Sequence, residues 1–301
     1  MRIDIIEVEN KKNKTKTVVV FIIILSLIAI FSMLGILCAQ NYKDNYIKNN
    51  NNQSEHSVEK QKNEIQDGTN SKENTDKNKE YKTNNINIEN KIGNIYNKDS
   101  KIAYLTFDDG PSETVTPLIL DVLKKENIKA TFFVLGTNVK KNSDILKRAY
   151  EEGHYIANHG YSHNYSNMYK NAKNVLDEYN KTEKLISQAL DNKDYKSNLF
   201  RFPGGSTGGK YEKIKSEAGK LLNNNGILYI DWNVLTGDSQ GANTKEKILK
   251  NVKKYTKDKG NIVVLMHDSS SKILTYEVLE DIIEYLKNQG YTFENFYSIM
   301  Q

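Results

Sequence analysis

Residues 102–112 read IAYLTFDDGPS, and the fold is decided here. Ile102–Phe107 is an apolar run of strand length, closed by the turn-forming cluster Asp108-Asp109-Gly110-Pro111-Ser112. A short continuous run of this kind reads as a buried strand. Outward from it the pattern repeats, at Thr131–Leu135, Tyr155–Asn158, Leu199–Phe202, Ile227–Trp232, Ile262–Met266 and Tyr291–Phe293. Segments with helical spacing lie between most of them: Thr116–Asn127, Ser143–Glu152, Asn171–Leu190, Tyr211–Asn223, Thr244–Tyr255 and Tyr276–Asn288. Alternating strands and helices predict an α/β fold on a mainly parallel sheet. Six or seven such units in about 200 residues suggest an open or barrel-like sheet. There is no internal repeat.

Parallel α/β folds collect reactive groups at the C-terminal ends of their strands. The first run ends in Asp108-Asp109. The third is followed by His159-Gly160-Tyr161-Ser162-His163. The fourth ends in Arg201-Phe202-Pro203-Gly204-Gly205, the fifth in Asp231-Trp232 and the sixth in His267-Asp268. Each cluster alone has a plain structural explanation, since a double Asp is often a turn and a strand-end His is often solvated. Five of them at one face do not.

The chain has five histidines. His159 and His163 are four apart, so a helical turn would put both imidazoles on one side. Two His and one carboxylate form a common catalytic zinc set that leaves a position for water. Either Asp108 or Asp109 can supply the carboxylate, and its neighbour can then act as base toward a water that the metal acidifies. His267 is the remaining candidate acid, Asp231 the candidate to orient it, and Arg201 the candidate to hold the base. His154, at a strand entrance, and His56, far from the motifs, are not expected to be ligands.

Several classes are excluded. The net charge is +5, yet residues 99–301 hold 28 basic against 26 acidic side chains, which leaves no basic stripe for nucleic acid. Cys38 is the single cysteine, so a Cys-ligated zinc site and an internal disulfide are both ruled out. Gly204 to Lys210 matches the glycine and lysine spacing of a phosphate loop, but Tyr211 stands where a Mg-binding Ser or Thr belongs. No nucleotide partner is expected.

Thr17–Ala39 carries no charge over 23 positions, and Lys11, Lys12, Lys14 and Lys16 precede it. That pattern predicts a transmembrane anchor with residues 1–16 in the cytoplasm and the rest of the chain outside. A cleaved signal peptide is the alternative; the run is long for one, and Leu37-Cys38-Ala39 is a poor cleavage site. Residues 40–98 are mostly Asn, Lys, Glu, Ser and Thr and read as a flexible tether with a reach of roughly 40 Å. Its end, Ile86–Tyr96, regains apolar residues and is a candidate edge strand. Residues 99–301 are the expected catalytic domain.

Five motifs in order resemble the polysaccharide deacetylases of carbohydrate esterase family 4, the NodB-homology domain. They are Thr106–Ser112, His159–His163, Arg201–Gly204, Asp231-Trp232 and Leu265-Met266-His267. The resemblance implies a distorted (β/α) barrel of about seven strands. It implies Asp108 as base, Asp109, His159 and His163 as metal ligands, Arg201 positioning the base and Asp231 tuning the acid His267. It further implies that the Gly204 amide helps hold the oxyanion, and that Trp232 and Leu265 wall the acetyl pocket. The motifs depart from the family pattern at Gly160, usually Ser or Thr, and at Gly204, often Tyr. The implied cofactor is a divalent ion, zinc in preference to cobalt or another. The implied activity is N-deacetylation of an extracellular polysaccharide, peptidoglycan N-acetylglucosamine first, with chitooligosaccharide, exopolysaccharide or an O-acetyl xylan as alternatives. A glycan-binding module without catalysis would have lost one of these groups, and none is missing.

Overall fold

The computed structural model describes residues 92, 93 and 95–300. The anticipated anchor and most of the tether lie outside these residues. Among the described residues no helix is long and apolar enough to cross a membrane. Of the anticipated edge strand, residues 92, 93, 95 and 96 are described, and none is extended: 92 and 93 are helical and 95 and 96 form a turn. Ile95 is nonetheless buried, and the Asn97 carbonyl accepts from the Asn261 N–H, so the folded body begins a few residues before 99.

The elements follow in the order β1 (Ile102–Asp108), α1 (Thr116–Lys125), β2 (Thr131–Val134), α2 (Gly136–Val139), α3 (Ser143–Glu151), β3 (Tyr155–Asn158), α4 (Tyr165–Met168) and α5 (Ala172–Ala189). Then come β4 (Leu199–Phe200), α6 (Glu212–Asn224), β5 (Leu228–Tyr229), β6 (Val234–Leu235), α7 (Lys245–Thr256), β7 (Ile262–His267), α8 (Ile273–Asn288), β8 (Thr292–Glu294) and α9 (Tyr297–Met300). Every strand pair is parallel, in the spatial order β5-β4-β3-β2-β1-β7-β6, with β8 also on β1. No pairing joins β5 to β6 among the described residues, so the ladder stays open. This is a curled parallel sheet consistent with a distorted (β/α) barrel. The seven apolar runs became seven of the eight strands; β6 has only two residues, too few to show a period.

Side-chain alternation along β1 makes the site possible. Ala103, Leu105 and Phe107 face outward into a core shared with Ile119, Leu120 and Leu123 of α1 and Val278 and Ile282 of α8. Phe107 stacks on Phe132 of β2 at 5.2 Å between ring centres. Burying such a side chain contributes about 1.5–3 kcal/mol. Tyr104, Thr106 and Asp108 face the other way. Tyr104 joins Phe133, Tyr155, Val263 and Phe296 in an inner cluster, and Asp108 ends that face at the C-terminal rim.

Candidate functional site

β1 delivers Asp108 to the rim fully desolvated. The guanidinium of Arg201, also fully buried, donates to Asp108 Oδ1 at 2.8 Å and to Thr106 Oγ1 at 2.7 Å. Its remaining nitrogens donate to the carbonyls of Ile230 and Asp231, and it lies over the Phe133 ring at 3.9 Å. Arg201 thereby holds one carboxylate oxygen. Asp108 Oδ2 points the other way, 3.8 Å from His159 Nε2. Burial raises the Asp108 pKa, and the Arg201 charge opposes but does not cancel that rise.

Asp109 follows in the left-handed region, with φ 77°. Asp109 Oδ1 lies 3.6 Å from His159 Nε2 and 3.5 Å from His163 Nε2. The three ligand atoms fall within 4.8 Å of one another. Asp109 Oδ1 is buried with no hydrogen-bond partner, an orphan that a cation would satisfy. His159 Nδ1 lies 2.8 Å from the Arg201 carbonyl, which fixes the proton there and leaves the Nε2 lone pair for a ligand. Burial pushes the His159 pKa down to about 3, so the imidazole is neutral, the form that ligates. The donor set fits a divalent ion.

The two histidines do not meet on a helical turn as their spacing suggested. Residues 159–164 are a loop that doubles back through Gly160 at φ 85° and His163 at φ 56°. A Cβ at Gly160 would stand 2.2 Å from Met168 Cε, so glycine serves both the turn and the close approach. His154 lies at the other end of β3, where its Nδ1 accepts from the Ala130 N–H and burial lowers its pKa to about 4. It is far from any ligand set.

His267 ends β7 in direct register with Asp108, so a candidate base and a candidate acid stand side by side on neighbouring strands. The partner of His267 is not Asp231. Asp238 Oδ1 lies 2.9 Å from His267 Nδ1, and Asp238 Oδ2 accepts from the His267 N–H and the Thr275 hydroxyl. Burial pushes the His267 pKa down, but the Asp238 hydrogen bond and charge outweigh it, and the net shift is upward. The same pair lowers Asp238 despite its own burial. Asp231 accepts instead from the N–H and hydroxyl of Ser206. It pins the loop after Arg201, which also spends the amide that a phosphate loop would offer.

Gly204 lies on that loop, exposed and at φ 75°, and its N–H has no acceptor among the described residues. Trp232 stands behind it, its ring 3.4 Å from where a Gly205 Cβ would be and 5.9 Å from the Arg201 guanidinium. Leu265 shares the His267 side of β7 one layer deeper and is buried. Tyr165 was not anticipated. It is among the few exposed large hydrophobics, 5.3 Å from the His163 ring and edge-on to Tyr169 and Tyr211. Its hydroxyl would be 2.8 Å from a Gly204 Cβ.

Asp238 and Tyr165 were missed for different reasons. Asp238 follows β6, whose two residues carry no strand signal for the strand-end rule to act on. Tyr165 sits on the four-residue α4, one of many tyrosines, and nothing in its spacing marks it.

The family model for polysaccharide deacetylase matches residues 95–222. A Bacillus cereus protein named peptidoglycan-N-acetylglucosamine deacetylase is 35% identical over 205 residues, which are 66% of this chain and 71% of that protein. A solved Streptococcus mutans CE4 esterase is similar with TM-score 0.62 at 34% identity, covering 69% of this chain and 90% of that one. The catalytic domain of a peptidoglycan N-acetylglucosamine deacetylase from Eubacterium rectale gives 0.60 at 34% identity, covering 66% and 90%. With these likenesses and the site above, the chain belongs to the polysaccharide deacetylases of carbohydrate esterase family 4, a family of hydrolases acting on carbon–nitrogen bonds.

Proposed function

We propose that this protein is a metal-dependent N-deacetylase of an extracellular polysaccharide, with the N-acetylglucosamine of peptidoglycan as substrate. The observation that carries this reading is the pairing of two opposed groups around one ligand cluster. Asp108, with one oxygen held by Arg201, and His267, held by Asp238, stand side by side at the strand ends next to the cluster of Asp109, His159 and His163. A divalent ion held by those three, zinc in preference to cobalt, would supply Lewis acidity toward an amide carbonyl and an acidified water. Asp108 Oδ2, the oxygen that Arg201 leaves free, is the base that takes a proton from the attacking water. The Gly204 N–H donates to the carbonyl oxygen as negative charge develops there. Protonated His267 then gives its proton to the departing amine, leaving acetate and a free amino sugar. Trp232, Leu265 and the exposed ring of Tyr165 are the groups placed to contact the acetyl and the sugar.

The names of the curated relatives support peptidoglycan as the polymer. The uncharged run Thr17–Ala39, preceded by lysines, supports a single-pass membrane protein whose catalytic domain works outside the membrane on a tether. The test is to incubate the full chain with peptidoglycan, chitooligosaccharides and acetylated xylan, measure acetate, and locate the lost acetyl group by mass spectrometry. Acetate from peptidoglycan with a free amine on glucosamine is expected. Release from xylan esters alone would overturn the reading.

The corrected partner of His267 gives a second expectation. Asp238→Asn removes the largest influence raising the His267 pKa while leaving its burial, so that pKa falls. The acid is then deprotonated at lower pH, and the alkaline limb of the kcat profile moves to lower pH. Asp231→Asn leaves that limb in place. A shifted limb in Asp231→Asn and none in Asp238→Asn would reverse the assignment.

A further inference from the structure

Helix α5 carries two buried carboxylates, one of them set directly against the loop that carries both histidines. Glu178 and Glu183 are each only 7% exposed, and no cation pairs with Glu178 among the described residues. Glu178 Oε2 accepts from the N–H groups of Tyr161 at 2.8 Å and Ser162 at 3.0 Å. Its Oε1 accepts from the Ser162 hydroxyl at 2.9 Å and the Asn167 amide at 3.1 Å. All four bonds go to the segment between and just beyond His159 and His163. Glu183 acts one link away: its Oε1 accepts from the Asn158 amide, and Asn158 Oδ1 accepts from the Gly160 N–H.

This loop needs an external hold. It contains a non-glycine residue, His163, in the left-handed region, and it is not part of a helix or strand. Left-handed backbone is unfavourable for such a residue unless its surroundings impose it. Local preference would not keep His163 Nε2 3.5 Å from Asp109 Oδ1. The carboxylate on α5 binds the two backbone amides between Gly160 and His163 and two side chains of the same segment.

We propose that Glu178 is a positioning residue for the metal centre: by binding the Tyr161 and Ser162 amides it fixes the loop on which His159 and His163 converge, and so sets the affinity for the divalent ion. The inference rests on the metal-site reading above. Outer partners of metal ligands are typically worth about 10–100-fold in affinity.

The test is zinc affinity of the full chain, by competition with a chromophoric chelator, alongside thermal unfolding of the metal-free protein. Glu178→Met keeps length and helix propensity but accepts nothing; it should weaken zinc by about tenfold or more. Glu178→Gln keeps an oxygen for the two backbone amides and should stay within about threefold of wild type. Wild-type affinity in Glu178→Met overturns the proposal. So does equal weakening in both variants that only tracks lost stability of the metal-free protein. Should Glu178→Met not fold, Glu178→Ala decides, since it leaves the Tyr161 and Ser162 amides without their carboxylate acceptor and adds no bulk. It should weaken zinc by about tenfold or more, and unchanged affinity overturns the proposal. A wild-type chain that binds no zinc would instead refute the metal-site reading.

Discussion

Asp108→Asn is expected to lower kcat on peptidoglycan by about a thousandfold, within the range that a positioned base contributes, while the protein keeps its fold and its metal. Asparagine retains an acceptor for Arg201 at the Oδ1 position, and Arg201 keeps its own bond to Thr106 Oγ1. This matters because Asp108 and Arg201 form a buried ion pair, and stripping one partner bare costs roughly 3–5 kcal/mol. Asp108→Ala would therefore confound lost chemistry with lost stability. The amide cannot take a proton at Oδ2, the atom that faces His159. The measurement is kcat beside metal content and the thermal unfolding curve. Activity within tenfold of wild type would show that Asp108 is not the base.

His163→Ala is expected to empty the centre. Catalytic zinc sites keep three protein ligands, and this change leaves Asp109 and His159. His163 is the better target of the pair, because its side chain is 35% exposed and lies on a loop, so its loss leaves little cavity. His159 is buried and bonded to the Arg201 carbonyl, so removing it would disturb the rim as well. After dialysis the variant should retain less than about a tenth of an equivalent of metal and less than about a thousandth of the activity. The unfolding temperature of the metal-free form should match that of metal-free wild type. Full metal content would remove His163 from the ligand set.

Much of this was legible because the informative residues sit where strand periodicity is strongest. β1, β3 and β7 are apolar runs of at least four residues, and each ends on chemistry: Asp108, then His159 just beyond, and His267. Arg201 was equally readable, one residue past β4. The parallel sheet followed from the alternation of runs and helices. Failures came where the chain is short or irregular. β6 has two residues, too few to mark a strand end near Asp238, while Asp231 stands at the end of a longer run and attracted the role. The His159–His163 turn was read as helical from spacing alone, and only the positive φ of Gly160 and His163 shows how four residues can also close a loop. Glu178 lies on α5, 15 residues beyond His163, and its tie to the loop is tertiary. No period or spacing in the sequence carries that contact.

The central claim is hydrolysis of an N-acetyl group by groups arranged around a bound metal. The most direct test is acetate release from peptidoglycan by one preparation of the full chain, before chelation, after chelation, and after zinc is restored. Release that stops with the chelator and returns with one equivalent of zinc, leaving free amines on glucosamine, is the expected result. Undiminished release from protein shown to be metal-free would contradict it.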